Sequence, residues 1–347
     1  MNLDLLKKLC EAPGPPGAEA PVREIFLESL QGLFDEISVD SLGNLILHKP
    51  GPGPRVLLDA HLDEVAFMVS FIEPEGFLRV VPLGGVDPRN FYGQRVIVWG
   101  KEPLPGVVAT IPPHLSEEKT LPPIEEMLID LALTREQVRG LVAVGDLVTF
   151  YPYFEETETG IIAKALDDRV GLFVIVEAVK KAKEIKADLW VSASVQEEVG
   201  LRGAEALIHD LELEAVIAVE GTLAHDLPGI PPHRRLARCG EGPEIRLSDA
   251  RFLADRQLSL ALSELASRRG IPHQIVVKKK GGTNAAAMQT RHGPKRAAAV
   301  SVPVRYLHSA SGMVFKEDIK AAIDLISAFL EEAPSVVADH RTHTASS

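Results

Sequence analysis

Five short segments of the chain place acidic or histidine side chains at, or just past, the ends of predicted apolar strands. They are LLDAHLDEV, ALDDRVG, SVQEEVG, AVEGT and PVRYLHS. Ligands in α/β proteins bind beyond the carboxyl ends of the strands, so we expect these side chains to converge on one region. The pattern predicts a site made of carboxylates and imidazoles.

His61 and Asp63 are two residues apart at the end of an apolar run. In an extended chain both side chains point to the same side, so Asp63 can accept a hydrogen bond from the His61 ring nitrogen that does not bind metal. A strand-end histidine beside a capping aspartate explains the same pair equally well. Both interpretations stay open for these two residues alone.

Asp167 and Asp168 precede a predicted helix and are followed by Arg169. Helix N-termini favour a carboxylate, so a helix cap is the simpler explanation. Two adjacent carboxylates repel each other, however, and a cap needs only one. We therefore expect one aspartate to bind a divalent cation while Arg169 compensates the charge of the other.

Glu197 and Glu198 leave an apolar strand and enter a turn flanked by glycine. Because neighbouring side chains diverge as they leave a strand, one can bind metal while the other acts as a general acid or base. Solvated loop glutamates are the alternative. Glu220 follows the apolar run EAVIAV, where a carboxylate needs a partner for its charge. His308 completes the candidate set.

Periodicity predicts the elements that position these residues. Helical spacing covers residues 2–12 and 19–33, and an apolar strand runs over 55–69. From residue 70 to 157, short β-like runs separated by Gly and Pro predict a small all-β module. Strands and helices then alternate, which implies a sheet covered by helices.

The predicted architecture is therefore an α/β domain of residues 1–69 plus 158–334, with residues 70–157 inserted between its two halves. Residues 335–347 are expected to form a disordered tail, because VVADHRTHTASS has the composition of a frayed terminus. No apolar run approaches the roughly 18 residues that span a bilayer.

Composition narrows the class of protein further. The chain has 347 residues, 46% of them hydrophobic and 25% charged, which is typical of a soluble globular protein with two domains. Its net charge is −12 and its lysines and arginines are not clustered, so we expect no nucleic-acid partner. Lys278–Lys280 is interpreted as a solvated strand end. The two cysteines, Cys10 and Cys239, favour a reducing cytoplasm over a disulfide framework.

Taken in order, LLDAHLDEVAFMV, AKALDDRVG, SVQEEVGLRGA, GGTNAAAM and PVRYLHS resemble the motifs of the tetrahedral (TET) aminopeptidase and glutamyl-aminopeptidase family. The resemblance covers nearly the whole chain. It implies a zinc-exopeptidase-like catalytic domain, with a mixed sheet sandwiched by helices, and an inserted β-barrel-like dimerisation domain. It also implies peptide substrates, two divalent metal ions per subunit, and dimers that assemble into a dodecamer.

The resemblance assigns each candidate residue a role. Asp167 would bridge the two metal ions, His61 and Glu220 would complete one site, and Glu198 and His308 the other. Glu197 would be the general base, Asp63 would orient His61, and Asn284 and Arg305 would contact substrate. Oxygen and nitrogen ligands without thiolate suit Zn²⁺, and also Co²⁺ or Mn²⁺.

The chain departs from the family at two of these positions. Glu220 stands where the family usually has aspartate, and Asn284 follows GGT where the family has aspartate. The glutamate at position 220 leaves a two-metal deacylase or carboxypeptidase as an alternative to an aminopeptidase, and Asn284 puts the substrate contact at that position in question. A glucanase also uses paired carboxylates, but it has no need for His61 and His308. A non-catalytic scaffold is a third alternative.

Overall fold

The computed structural model describes residues 1–111, 114, 120–207, 211–291 and 295–338. The helices in this part of the chain are α1 Leu3–Glu11, α2 Ala20–Ser29, α3 Pro88–Phe91, α4 Arg135–Leu141, α5 Leu166–Lys181, α6 Arg202–Leu207, α7 Arg256–Arg268, α8 Asn284–Thr290 and α9 Lys316–Val337. No helix among the described residues is both long and apolar enough to cross a membrane.

The strands form two separate sheets. The larger sheet contains β1 Glu36–Val39, β2 Leu45–Lys49, β3 Arg55–His61, β10 Phe154–Glu156, β11 Gly160–Ala163, β12 Asp188–Ser194, β13 Ala215–Leu223, β14 Glu244–Ser248, β15 Gln274–Val277, β16 Arg296–Arg305 and β17 Gly312–Phe315. The smaller one contains β4 Ala66–Ile72, β5 Leu78–Leu83, β6 Arg95–Trp99, β7 Pro103–Val108, β8 Ile129–Asp130 and β9 Leu147–Phe150, and it closes into a barrel.

The larger sheet is mixed, with the order β1-β2-β12-β3-β13-β16-β17-β11-β10. The four central strands β12, β3, β13 and β16 are parallel, and the flanking pairs are antiparallel. β14 pairs with β16 on one side and with β15 on the other. Parallel strands are buried on both faces, which explains why β13 and β16 are almost continuously apolar.

Helices cover both faces of this sheet. Val56 and Leu58 of β3 pack into a core with α5 and α9, whereas Leu57 packs into a core with α6 and α8. The alternation follows from the two-residue repeat of a strand. The prediction of an α/β fold with a mixed sheet sandwiched by helices is confirmed.

The barrel has a core of its own, built on aromatic contacts. The rings of Phe67 and Phe91 stack at a centroid distance of 4.0 Å, and Phe150 meets Phe67 edge-on at 5.6 Å. All three side chains are buried. Offset and edge-to-face pairs of this kind add to the stabilisation from burial, so the inserted segment holds a small all-β module.

The observed bounds differ from the predicted ones in three places. The predicted strand over 55–69 is two strands in different sheets, β3 and β4, and the barrel runs from Ala66 to Phe150. β10 belongs to the larger sheet, because Phe154–Glu156 pairs with β11. α9 continues to Val337, and Val336 and Val337 are buried. Residues 335–337 are therefore helical and do not belong to the disordered tail predicted to begin at residue 335. Residues 339–347 of that tail lie outside the described residues.

Candidate metal centre

The predicted site residues come from neighbouring strands of the larger sheet. His61 is the last residue of β3, and Ser194, its partner in register, ends β12 and leads to Glu198. Glu220 lies on β13, on the other side of β3, and His308 follows β16. The strand order therefore brings these segments to one edge of the sheet, as predicted. Glu220 does not end its strand, however, since β13 continues to Leu223.

Three of these residues form a compact cluster of possible metal ligands. One ligand atom each from His61, Asp167 and Glu198 lies within 4.8 Å of the other two. His61 Nε2 is 3.3 Å from Asp167 Oδ1. Asp167 belongs to the first turn of α5, where its backbone and that of Asp168 depart from helical geometry. This irregular turn directs the Asp167 carboxylate towards the two neighbouring segments.

His308 joins the same cluster from the opposite side. Its Nε2 atom lies 3.2 Å from Glu198 Oε1 and 3.5 Å from Asp167 Oδ2. Burial lowers the pKa of His308, but the Glu198 and Asp167 carboxylates raise it, and the resulting pKa is well above the ordinary value. Asp167 therefore lies between both histidines, as expected of a residue shared by two metal ions.

Glu220 is the fifth residue of the set and is buried. Burial raises the pKa of its carboxyl to about 7, although Arg246 and a hydrogen bond with Thr283 act in the opposite direction. Arg246 Nη1 lies 4.0 Å from Glu220 Oε1. The glutamate is therefore held in a setting that disfavours its charge unless a further cation is close.

Three carboxylate oxygens of the site are buried without a hydrogen-bond donor in the described part of the chain, as expected of atoms that bind a cation. Asp167 Oδ1, Glu198 Oε1 and Glu220 Oε1 are buried and receive no hydrogen bond from any described residue. Leaving buried carboxylate oxygens without partners is costly, and metal coordination removes that cost. Oxygen and imidazole donors without thiolate match Zn²⁺, Co²⁺ or Mn²⁺, so the residues present fit a divalent metal centre.

Glu197 occupies the position next to this cluster. Burial raises the pKa of its carboxyl well above the ordinary value; the His61 charge lowers it, whereas those of Glu198 and Asp167 raise it further. A carboxylate that is reluctant to stay charged is a stronger base when it is ionised. Its environment is that of a group able to accept and return a proton.

Asp63 acts through different atoms from those we expected. Its carboxylate accepts the backbone N–H groups of Glu197 at 2.9 Å and Glu198 at 3.0 Å. The His61 Nδ1 atom is 3.1 Å from the backbone oxygen of Asp63 and 3.5 Å from its carboxylate. The reason for the difference is that β3 ends at His61, so the chain is no longer extended at Asp63.

Arg169 does not compensate Asp168, so that part of the prediction is wrong. Asp168 accepts three backbone N–H groups at 3.0 Å, from His61, Gly171 and Gly221. Arg169 instead donates to the Leu62 carbonyl and lies 3.3 Å from a Glu64 oxygen.

The two predicted substrate contacts have protein partners in the structure. Asn284 is buried, and its Nδ2 atom donates to Asp59 Oδ2 and Ser194 Oγ, both at 2.8 Å. Arg305 forms two hydrogen bonds of 2.7 Å with Asp226. A role for Asn284 or Arg305 in substrate binding stays a prediction.

Lys278 is buried, with its Nζ atom 2.8 Å from Glu244 Oε2 and in contact with Thr222. The interpretation of Lys278–Lys280 as a solvated strand end is therefore wrong for Lys278. Its charge is already paired within the protein, so it is not free to attract an acidic substrate side chain.

Several groups beside the site left little or no signal in the sequence. Glu64 pairs with buried Lys164, both of its oxygens lying 2.7 Å from Nζ. Asp59 lies within apolar β3 and is buried under Asn284. A charged residue inside the apolar run RVLLDAH was the available signal for Asp59. The backbone carbonyl of Gly85, which contacts His308, could not be recognised in the sequence, because every residue has a backbone carbonyl.

The backbone around the site is unusual. Among the described residues, six non-glycine residues have positive φ, and four of them are Ala165, Gln196, Tyr306 and His308. Each is a candidate site residue or lies within two positions of one. Non-glycine residues in this region of φ cost energy and concentrate at functional sites, so the strain supports the location of the site.

A narrow cleft opens beside the cluster, between the barrel and the α/β domain. Asp167 and His308 line it together with Tyr306, Leu166 and Phe150 of the barrel. Side chains from both modules therefore line the position next to the cluster, and the lining contains both apolar and polar side chains.

Known proteins are similar to this chain over nearly its whole length. A family model described as M42 glutamyl aminopeptidase matches residues 43–325. The lysyl aminopeptidase of Pyrococcus furiosus is 33% identical over 345 residues, covering 96% of this chain and 97% of that protein. An aminopeptidase structure from the archaeon Desulfurococcus kamchatkensis superimposes with a TM-score of 0.94 at 32% identity, covering 99% of this chain and 98% of that one.

A second solved structure is the TET1 peptidase of Pyrococcus horikoshii, which is described as able to assemble into a tetrahedron or a large octahedral shell. It matches with a TM-score of 0.85 at 32% identity, covering 94% of this chain and 98% of that one. These matches confirm the resemblance and favour peptide hydrolysis over the glucanase alternative. The chain belongs to the M42 glutamyl aminopeptidase family and is a metal-dependent aminopeptidase.

Proposed function

We propose that this aminopeptidase uses two divalent metal ions, with Zn²⁺ as the native metal. Asp167 holds both ions, His61 and Glu220 complete one site, and Glu198 and His308 complete the other. The observation that carries the proposal is the cluster of His61, Asp167 and Glu198, joined by His308, around buried carboxylate oxygens that receive no hydrogen bond from any described residue. Metal ions in such a site lower the pKa of a water molecule and polarise the peptide carbonyl.

Glu197 serves as the general base in this proposal. It takes a proton from the attacking water and later passes that proton to the leaving amine. Asp63 holds the turn that carries Glu197 by accepting its backbone N–H group, so the base stays beside the cluster. The carbonyl oxygen of Asp63 also faces His61 Nδ1, which leaves Nε2 turned towards Asp167.

The preference for a free N-terminus is proposed from the family, because relatives of this chain are aminopeptidases. Asp167 and Glu198 would be neutralised by the metal ions that they hold, so these ligands do not by themselves select the positively charged α-amine of a peptide. The narrow cleft beside them is lined by Phe150 and Tyr306. A peptide with a blocked N-terminus lacks the free α-amine that an aminopeptidase requires.

Glu197→Gln tests the assignment of the base. We expect the variant to bind the same amount of metal and to unfold at the same temperature, while kcat falls by about two to four orders of magnitude. Glu205→Gln, a partly exposed glutamate of α6 that pairs with Arg291, is the matched control and should keep full activity. Retention of normal turnover by Glu197→Gln would exclude the proposed base.

Substrate class and metal content are tested together. Free and N-acetylated peptides are compared with and without chelator, and metal is counted by mass spectrometry in protein purified without added metal. We expect cleavage of free peptides only, loss of activity with chelator, and two zinc ions per chain, with Co²⁺ or Mn²⁺ restoring activity. Cleavage of blocked peptides alone would favour the deacylase alternative.

We propose further that the chain forms a homo-oligomer in the cytoplasm, with barrel-mediated dimers assembling into a dodecamer. The TET1 relative supports this, as do the exposed apolar side chains Phe71, Val107 and Val144 on the barrel segment. Cys10 and Cys239 are free thiols, which suits a reducing compartment. Light scattering after size-exclusion chromatography should give the mass of twelve chains, and a monomer would contradict the assembly.

A further inference from the structure

One loop of the barrel reaches the metal centre of the α/β domain. It runs from Gly84, directly after β5, to Asn90 within α3. The contacts of this segment with the site involve His308 and Glu198, the two residues proposed to hold one of the metal ions. The loop belongs to a different module from every proposed metal ligand, so its contacts connect the two halves of the molecule at the site.

The strongest contact is to the imidazole of His308. Its Nδ1 atom lies 2.7 Å from the backbone oxygen of Gly85. A carbonyl oxygen only accepts hydrogen bonds, so Nδ1 carries the proton and Nε2 is left as the donor atom for a metal. That Nε2 atom is the one that lies 3.2 Å from Glu198 Oε1. Gly85 therefore fixes both the tautomer and the orientation of the ring.

Two further contacts come from the ends of the same segment. Asn90 Nδ2 donates to the backbone oxygen of His308 at 3.4 Å, which restrains the residue from its main chain as well. This restraint acts on a residue in the left-handed region, since the φ of His308 is 57°. The barrel segment thus helps to hold the backbone of His308 in this strained conformation.

Gly84 packs directly on Glu198. Its φ is +101°, a conformation that favours glycine, and a Cβ added there would lie 3.2 Å from Glu198 Cβ and 3.3 Å from Glu198 Oε2. The same Cβ would lie 3.0 Å from Val65 Cγ1. Glycine is therefore required at this position for two reasons, its backbone conformation and the closeness of a proposed metal ligand.

We propose that the Gly84–Asn90 segment is a positioning element for the metal site made by Glu198 and His308. The barrel would then orient this metal site in addition to its proposed role in assembly, because its loop contacts both of the proposed ligands. Partners that orient a metal-binding histidine typically change metal affinity by 10- to 100-fold when they are lost. The inference rests on the proposed function, which assigns Glu198 and His308 as ligands.

The variant Gly84→Ala tests this role, with Gly145→Ala as the matched control. Gly145 also lies in the barrel segment, its φ is +97°, and no atom of the residues that the structure describes lies within 4 Å of an added Cβ. Both variants therefore carry similar backbone strain, but only one presses on Glu198. We expect Gly84→Ala to bind one of the two metal ions 10- to 100-fold more weakly, and Gly145→Ala to bind both normally.

The measurements are metal affinity by calorimetry, the visible absorption spectrum of the Co²⁺-loaded protein, and kcat and KM. A general loss of barrel stability would change the melting temperature in both variants, whereas the Co²⁺ spectrum should change only in Gly84→Ala. We expect kcat to fall with little change in KM. Equal affinities and spectra in the two variants would overturn the inference.

Asn90→Leu provides a milder second variant in case Gly84→Ala does not fold. It keeps the size of the side chain but removes the donor to the His308 carbonyl, and we expect a several-fold loss of affinity for the same ion. Unchanged metal binding in a folded Asn90→Leu, with Gly84→Ala unfolded, would also contradict the inference. If the wild-type protein binds no second ion, the proposed function itself fails, and that result is distinct from a difference between variants.

Discussion

At the scale of single residues, the site is defined by buried carboxylate oxygens that lack a hydrogen-bond donor within the ranges that the structure describes. Asp167, Glu198 and Glu220 each keep a buried oxygen without a hydrogen-bond donor among the described residues. Burying an uncompensated carboxylate costs several kcal/mol. Residues placed at such a cost contribute to ligand binding rather than to stability, and divalent cations are the ligands that this donor set fits.

Asp59 is another buried carboxylate, but its oxygens receive hydrogen bonds from neighbouring side chains, among them Asn284. The Asn284 amide donates to Asp59, whose carboxylate also accepts hydrogen bonds from Ser192 and Ser194. Burial nevertheless raises the pKa of Asp59, and these three hydrogen bonds lower it only in part. The amide of Asn284 therefore supports an ionised Asp59, whereas a second carboxylate at position 284 would oppose it.

The first prediction concerns Asn284→Asp. Two buried carboxyl groups would then face each other at the 2.8 Å separation of the present hydrogen bond, and one of them would have to stay protonated. We expect the variant to be less stable by about 3 kcal/mol at pH 8. The loss should shrink towards pH 5, because a carboxyl with a raised pKa is destabilising only where it is forced to ionise.

A charge swap provides the control for this prediction. The double variant Asp59→Asn with Asn284→Asp keeps one carboxyl and one amide in the same cluster. We expect it to recover most of the lost stability, measured as the denaturant midpoint at pH 8 and at fixed protein concentration. Destabilisation of the double variant by the sum of its single variants would show that the two side chains are not coupled.

The five proposed ligand segments lie at one edge of the sheet, as the sequence predicts, whereas the partners of the residues around them were predicted less accurately. A carboxylate or histidine at the end of an apolar strand is a local signal, and the strand order then brings these ends together. The partners of Asp63, Arg169 and Asn284 depend on loops that meet only in three dimensions. Local spacing carries no information about such contacts, and for this reason the predicted Arg169–Asp168 compensation was wrong.

At the scale of elements, the connection between β3 and β4 depends on a buried ion cluster. Glu64 accepts the N–H of Gly14 at 3.1 Å and contacts the ammonium of Lys164 and the guanidinium of Arg169. Lys164 and Arg169 flank the irregular start of α5, which carries Asp167. The cluster thus ties the end of β3, the N-terminal segment and α5 to one another directly beneath the metal centre.

The second prediction is that Lys164→Met destabilises the protein by about 3 kcal/mol, since removing one partner leaves a buried charge only partly compensated. The matched control is Lys181→Met at the other end of α5, where an exposed lysine pairs with Asp324 and the expected cost is below about 1 kcal/mol. Melting temperatures at equal protein concentration measure both. Equal shifts in the two variants would contradict the importance of burial.

The same cluster explains why the boundary between β3 and β4 was missed. The segment from Arg55 to Val69 is apolar enough to be one strand, and Asp63 with Glu64 looks like an ordinary polar interruption. Both side chains are in fact buried, and they bind Lys164 and Glu197, which lie at least 100 residues away in the sequence. Periodicity predicts elements well where burial repeats regularly, as in β13 and α5, and fails where buried charge turns the chain.

At the scale of the whole molecule, the two modules could be predicted because their sequence patterns differ. Short strands with frequent Gly and Pro mark the barrel, and alternating strands and helices mark the α/β domain. The contact between them could not be predicted, since it depends on the backbone of Gly85 and on a positive φ at Gly84. The site therefore belongs to the fold as a whole, and its metal content should affect the stability of the whole chain.

The third prediction is that removing metal lowers the stability of the protein, and more so at higher pH. A bound ion at 100 times its dissociation constant contributes about 2.7 kcal/mol, which chelation removes. The metal-free protein also retains Glu220, whose pKa is raised to about 7 by burial. A carboxyl with a raised folded-state pKa contributes stability below its unfolded pKa and loses it as the pH rises through the folded one.

Between pH 6 and pH 8 the chelated protein should therefore lose about 1 kcal/mol that comes from Glu220 alone. The metal-loaded protein should not show this loss, because a bound cation favours the ionised glutamate at both values. Glu220→Gln has no carboxyl to titrate, so its chelated form should have a shallower dependence on pH. Melting temperatures at pH 6 and pH 8, with and without chelator, measure all four states. A pH dependence that is equal in chelated wild type and Glu220→Gln would exclude Glu220 as its source, whereas a chelator without effect at either pH would argue against a metal bound at this edge of the sheet.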